Sequence, residues 1–188
     1  MKHVVVVYHS GYGHTERQAK AVAEGAAAVG GVKVQLLAVA DAERNWDDLA
    51  AADAIVFGAP TYMGSVSGDF KKFMDASSKA WSASAWKDKL AAGFTNSGNQ
   101  NGDKLNSLVQ LMVFANQHGM LWVSLGLMPG NNSSKGSVND LNRLGSFSGA
   151  MAQSNFDQGA DAMLESDLAT AAHLGKRVAE AALRYARG

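Results

Sequence analysis

The 188-residue chain has no cysteine, only two prolines and no surplus of charge, with 17 Lys and Arg standing against 17 Asp and Glu. Each absence excludes a chemistry. Without thiols there are no disulfides, thiolate nucleophiles, Cys-ligated zinc sites or iron–sulfur clusters. A balanced charge offers little to a nucleic-acid backbone, which needs a basic excess, and little to an anionic membrane surface. The apolar run behind Lys2 is only four valines long, too short for a secretory core or a membrane span. These absences point to a cytoplasmic protein with no nucleic-acid partner and no membrane insertion.

What is present reads as one domain over residues 1–188, since roughly 100–200 residues make a domain. The β-branched run at residues 3–8 predicts a strand buried on both faces. A helix is expected over about 15–29, where Ala19, Val22, Ala23, Ala26 and Val29 share a face, and Gly30-Gly31 stops it. Strands follow at 32–39, 53–58, 90–95 and 120–125. Between them lie a short helix at 46–51, a helix carrying Phe70, Phe73 and Met74, and one with Leu105, Leu108, Val109, Met112 and Ala115 facing inward. A last helix starts near Ser166. Strands alternating with helices mean βαβ units, hence a doubly wound α/β domain with five parallel strands in the order 2-1-3-4-5. Residues 126–159 stand apart: half are Gly, Asn or Ser, and the stretch far exceeds ordinary connections of about 2–6 residues. It reads as an insertion that completes a pocket, makes a subunit contact or stays disordered.

In such a sheet, ligands bind beyond the carboxyl ends of the strands. Three turns leave those ends. The first, Ser10-Gly11-Tyr12-Gly13-His14-Thr15, joins hydroxyls and permissive glycines to a helix start, an anion cradle without a cation. The second, Pro60-Thr61-Tyr62-Met63-Gly64, offers an aromatic and a thioether to a flat ring. The third, Asn96-Ser97-Gly98-Asn99-Gln100-Asn101, supplies amides and a hydroxyl for a polar ring edge or a ribityl chain. Other phosphate motifs fail: Glu16 stands where a dinucleotide fingerprint needs its third glycine, and no Gly-Lys-Ser/Thr follows a glycine-rich stretch. There is no Gly-x-Ser-x-Gly elbow. Read alone, His118 ends a helix as a dipole partner, Trp86 packs, and His3 and His173 are structural.

Taken with Gly58-Ala59-Pro60-Thr61-Tyr62-Met63-Gly64-Ser65-Val66-Ser67-Gly68, with residues 90–98 and with His118-Gly119-Met120, these turns resemble the flavodoxin-like NAD(P)H:quinone oxidoreductases of the tryptophan-repressor-binding-protein type. The resemblance spans nearly the whole chain and implies a flavodoxin-like three-layer sandwich. It implies FMN as cofactor and NADH or NADPH as electron donor, with two electrons passed to a quinone by a ping-pong mechanism in a homo-oligomer, dimer or tetramer. Residues 10–15 would hold the FMN phosphate, with Tyr12 also touching the nicotinamide nucleotide. Thr61, Tyr62 and Met63 would flank the ring, Asn96 to Asn101 would bind its polar edge and ribityl, and His118 would approach its carbonyls. Trp81 would line the substrate side. Tyr62-Met63 replaces the Arg-Phe usual in that family. An NADPH-dependent FMN or azo reductase and a non-catalytic flavodoxin-type carrier are the alternatives.

Overall fold

Four consecutive valines lie fully buried in β1 (Lys2–Tyr8) because both faces of the sheet are covered. Val4 and Val6 face one hydrophobic layer, Val5 and Val7 the other. The protein is described in a computed structural model over residues 1–185. β1 is followed by α1 (His14–Ala27), β2 (Val32–Ala38), α2 (Trp46–Ala51), β3 (Ala54–Tyr62), β4 (Ser65–Val66), α3 (Gly68–Ala76), α4 (Ser78–Ser82) and β5 (Leu90–Ser97). Then come α5 (Lys104–Gln117), β6 (Leu121–Trp122), β7 (Ala150–Gln153) and α6 (Glu165–Arg184). Among the described residues no helix is long and apolar enough to cross a membrane.

The parallel order β2-β1-β3-β5-β6 keeps the expected 2-1-3-4-5 arrangement. Two features refine it. The fifth position is shared: β6 pairs with the start of β5 at Leu90 and Ala91, and β7 pairs with its end from Phe94 to Ser97. A strand therefore lies inside the stretch read as a loop, and the edge strand is interrupted. Secondly, β3 runs on to Tyr62 and folds back as an antiparallel hairpin with β4. Met63 (φ 50°) and Gly64 (φ 77°) form its tip, the two positive-φ residues a tight hairpin turn needs. Pro60 sits within β3 without losing a ladder bond. The Gly58 carbonyl faces β1, where it accepts from the His9 N–H, so Pro60 faces the same side just after the β1 pairing has ended.

One face of the sheet is covered by α1 and α6, the other by α2, α3 and α5. On the second face Phe57, Phe70, Phe73, Trp86 and Phe114 pack as edge, tilted and stacked pairs, with ring centres 5.3–6.4 Å apart. This cluster sets the rotation of α5. Leu108, Leu111, Phe114 and Ala115 are buried, whereas Leu105 and Val109, expected inside, are exposed. The helix is apolar nearly all round, so its period left the face open to either reading.

On the first face α1 and α6 meet through glycines. A Cβ at Gly25 would overlap the Ala172 carbonyl, and one at Gly175 would overlap that of Val22. Neither backbone can withdraw without separating the layer. Gly175→Ala is expected to cost about 2–3 kcal/mol, the upper part of the range for overpacking a close contact. Gly30→Ala, which meets open space, should change stability by no more than about 0.5 kcal/mol. Urea denaturation of the two variants checks the contrast.

Candidate functional site

The carboxyl edge of the sheet is stepped. The β1–β3 pairing ends at Tyr8 and Gly58, the β3–β5 pairing continues to Pro60 and Asn96, and β5–β7 reaches Ser97 and Gln153. The step leaves a cleft of about 410 Å³ lined by Ser10, Tyr12, His14, Thr15, Pro60, Thr61, Tyr62, Asn96, Ser97 and Gly98, with Ser154 and Phe156 from the far side. That volume falls in the range of small-molecule and cofactor sites.

α1 starts at the shelf below the step. Gly13 takes the left-handed conformation (φ 88°) that turns the chain into the helix, and its N–H donates to Ser10 Oγ at 3.0 Å. The following N–H groups have no intrahelical acceptor, as at every helix start, and this end of the dipole attracts an anion. Tyr62 folds across the turn: its hydroxyl lies 2.6 Å from where a Gly11 Cβ would stand and accepts the Gly11 N–H. Burial raises the Tyr62 pKa, with the nearby Tyr12 hydroxyl adding to it. Tyr12, 80% exposed, meets the Tyr62 ring edge-on at 6.3 Å. The two rings give the cleft an aromatic rim on its open side.

The floor is polar. Thr61 Oγ1 donates to Ser107 Oγ at 2.7 Å and lies 2.7 Å from Thr95 Oγ1, tying β3, β5 and α5 together at the strand ends. Asn96 is buried, its Nδ2 donates to Ser154 Oγ at 2.8 Å, and its Oδ1 has no partner among the described residues. A buried unsatisfied acceptor is costly unless a ligand N–H completes it. The third turn is folded over Lys104, whose Nζ donates to Ser97 Oγ (2.8 Å) and to the carbonyls of Asn99 (2.6 Å) and Gln100 (2.8 Å). Burial pulls this ammonium down to about 8, with Arg143 adding a little and Asp167 opposing.

The end of the insertion closes the first turn. His14 Nε2 lies 2.9 Å from the Gln158 carbonyl, and Arg17 donates to that of Ala160 at 3.0 Å. The insertion itself is anchored by Arg143, which grips Asp167 of α6 with two bonds of 2.8 and 2.7 Å, both side chains buried. Asp167 also accepts the Gln153 N–H, and Gln153 Nε2 reaches the Gly98 carbonyl at 2.9 Å. A chain of bonds thus runs from the insertion to the third turn.

Most residues singled out from the sequence meet at this cleft. Gly11 and Gly13 form the backbone of the first turn. Met63 and Gly64 form the hairpin tip, held where Asn106 Nδ2 donates to the Gly64 carbonyl at 2.6 Å. Asn99, Gln100 and Asn101 cap Lys104 at the exposed side of the third turn. Trp81 and His118 lie elsewhere, in an apolar groove of about 540 Å³ between α3, α4 and α5. Thr95, Lys104, Ser107, Ser154 and Phe156 were not anticipated: a lysine opening a helix reads as solvated, and the other four carry no local signal. A larger cavity of about 610 Å³ lies between the end of β2 and α3; Lys72, the one lysine lining it among the described residues, is already paired with Asp69 at 2.8 Å.

His118 stacks on Trp86 with ring centres 4.2 Å apart. Ser77 Oγ gives its only proton to the Met74 carbonyl (2.7 Å), so His118 Nε2 donates to Ser77 (2.9 Å), and its buried Nδ1 is unpartnered among the described residues. Burial lowers the His118 pKa to about 4. From there up to the ordinary histidine value near ~6.5, the unfolded chain holds a proton that the folded chain lacks, so stability falls on acidification through that window. His118→Phe should remove about 2–3 kcal/mol from the loss of stability between pH 7 and pH 4. Urea titrations at the two pH values measure it, and an unchanged loss in the variant contradicts the assignment.

The profile of the family described as NADPH-dependent FMN reductase matches residues 3–132. Flavodoxin FldP of Pseudomonas aeruginosa (strain UCBPP-PA14) is 49% identical over 184 residues, covering 95% of this chain and 96% of that protein. An NAD(P)H dehydrogenase (quinone) of Geotalea uraniireducens (strain Rf4) is 31% identical over 206 residues, covering 98% of this chain and 99% of the relative. The crystal structure of a flavodoxin, WrbA-like protein from Agrobacterium tumefaciens superposes with a TM-score of 0.77 at 47% identity, covering 98% of this chain and 99% of that one. With three turns converging on a stepped parallel sheet and matches of this extent, the chain belongs to the flavodoxin-like NADPH-dependent FMN reductase family.

Proposed function

We propose that this chain is an FMN-dependent oxidoreductase that passes two electrons from NADH or NADPH to a quinone by a ping-pong mechanism. The observation that carries the reading is the cleft itself: a helix start for a phosphate, an unsatisfied buried Asn96 Oδ1 for a ring N–H, and an aromatic rim on one open side. The residues present fit FMN. Ser10 to Thr15 would hold its phosphate through helix-start N–H groups and hydroxyls; Thr61, Tyr62 and Asn96 to Asn101 would hold its ring and ribityl. FMN bound there supplies hydride acceptance from a nicotinamide and two-electron reduction of a quinone.

The side chains position and enclose. The Thr61, Thr95 and Ser107 hydroxyls hold the floor rigid. The exposed Tyr12 ring, set edge-on to Tyr62, would stack a nicotinamide and then a quinone at one face, so the two substrates would exclude each other. Phe156 stands exposed on the opposite rim and would cover that side of a bound ring. Trp81 and His118 line a separate groove, where Trp81 is exposed and His118 buried, so contact with the ring is proposed for Trp81 alone and only across a subunit boundary. The exposed row Leu105, Val109 and Val113 beside Trp81 supports a homo-oligomer. A cytoplasmic setting and a single-domain organisation over residues 1–188 complete the proposal.

A second reading is a one-electron carrier, favoured by the name of the relative at 49% identity, Flavodoxin FldP. The equal counts of acidic and basic residues weigh against it, because a carrier that docks on basic partners gains from an acidic surface. The two readings separate in one experiment. Apo-protein should quench FMN fluorescence at one equivalent, and the loaded protein should consume NAD(P)H rapidly only when a quinone is supplied. FMN binding without reduction by NAD(P)H supports the carrier; no FMN binding contradicts both. Tyr12→Ala should raise the KM for NAD(P)H about fivefold, as expected for loss of one aromatic contact.

A further inference from the structure

Lys104 opens α5 with its side chain fully buried. A lysine at a helix start ordinarily extends into water, because burying an ammonium is costly unless each of its protons finds an acceptor. Here all three do, and all three acceptors belong to one turn: Ser97 Oγ and the carbonyls of Asn99 and Gln100. No carboxylate forms an ion pair with it among the described residues. Asp167 acts on it from α6 but is already bonded twice to Arg143 of the insertion. Asp103, at the start of its own helix, is exposed. The buried group of Lys104, Arg143 and Asp167 therefore holds two cations and one anion.

The turn shows what this arrangement does. In a trans peptide the C=O and the following N–H point to opposite sides. With the Asn99 and Gln100 carbonyls drawn inward to Lys104, the Gln100 and Asn101 N–H groups point away from it on the exposed side of the turn, next to the cleft-lining Gly98, and neither donates to a protein acceptor among the described residues. The same turn continues from Asn96, Ser97 and Gly98, which line the cleft.

We infer that Lys104 is a positioning residue for the pyrimidine edge of FMN: it pins two carbonyls beneath the turn, presents two backbone N–H groups to ring acceptors, and leaves a net positive charge behind them. The inference rests on the FMN reading above. A cation at that place also favours the more electron-rich form of whatever ring lies against it, which suits a protein that must accept two electrons. Deprotonation, centred near pH 8, removes one donor and the charge, so FMN affinity should fall as pH rises through that value. Fold stability should move the other way. Above about 8 the unfolded chain binds the proton that folded Lys104 has lost, so this group makes the folded state more stable as pH rises. Weaker binding in that window is therefore not a sign of a loosening fold.

The test titrates apo-protein with FMN, and separately with riboflavin, from about pH 6.5 to pH 9.5, following flavin fluorescence for the wild type, Lys104→Met and Lys104→Arg. The wild type should lose affinity above about pH 8. Lys104→Met should bind about ten- to a hundredfold more weakly at pH 7, equally for both flavins, and without the pH dependence. Lys104→Arg should restore part of the affinity with a flat profile, since guanidinium does not titrate there. The midpoint potential of bound FMN should be more negative in Lys104→Met than in the wild type. A folded Lys104→Met with wild-type affinity and profile overturns the inference. If Lys104→Met does not fold, the wild-type profile decides, and a flat one overturns it. Wild type that binds neither flavin at any pH fails on the functional reading itself, not on the role of this residue.

Discussion

The staggered carboxyl ends of β1, β3 and β5 are the constraint on which the rest of the molecule depends. Because β1 ends its pairing at Tyr8 while β3 and β5 remain paired to Pro60 and Asn96, the strand ends form a step. A helix start stands below it, and an aromatic turn and a polar turn stand above it. A flush edge would give the three turns no common cavity. The pairing is held by the valines of β1 and by the aromatic cluster under β3, neither of which touches the cleft. Stability and function are thus separated: the layers fix where the strands end, and the turns decide what binds there.

The fold was legible because its signals were local and strong. Val4 to Val7 have no reading other than a doubly buried strand, and each later strand is set off by Gly, Asn or Pro. The site was legible to the extent that its residues lie in sequence-contiguous turns. Lys104 was not, because its role comes from carbonyls that curl around it only after the turn has formed. Ser154 and Phe156 were not, because β7 is four residues inside a stretch rich in Gly, Asn and Ser, with too few positions to show a period. The inward face of α5 was read about one residue off for a related reason: apolar residues surround the helix, and only the packing of Phe114 against Trp86 and Phe57 selects a side.

The insertion shows how a segment of low information content is ordered by a few strong contacts. Arg143 and Asp167 form a buried two-bond pair whose net worth for stability is modest, but which specifies one geometry. From Asp167 the bonds continue through Gln153 to Gly98, and from residues 158–160 to His14 and Arg17. The cleft is consequently closed on one side by chain lying outside the segment that the family profile covers.

A stepped sheet edge of this kind would hold a flavin at one place only. Adding FMN to isotopically labelled apo-protein and following the backbone amide resonances tests this most directly. The largest shifts should fall in residues 10–15, 61–62, 96–101 and 154–156. Shifts centred instead on the larger cavity between the end of β2 and α3, or no shifts at all, would contradict the central claim.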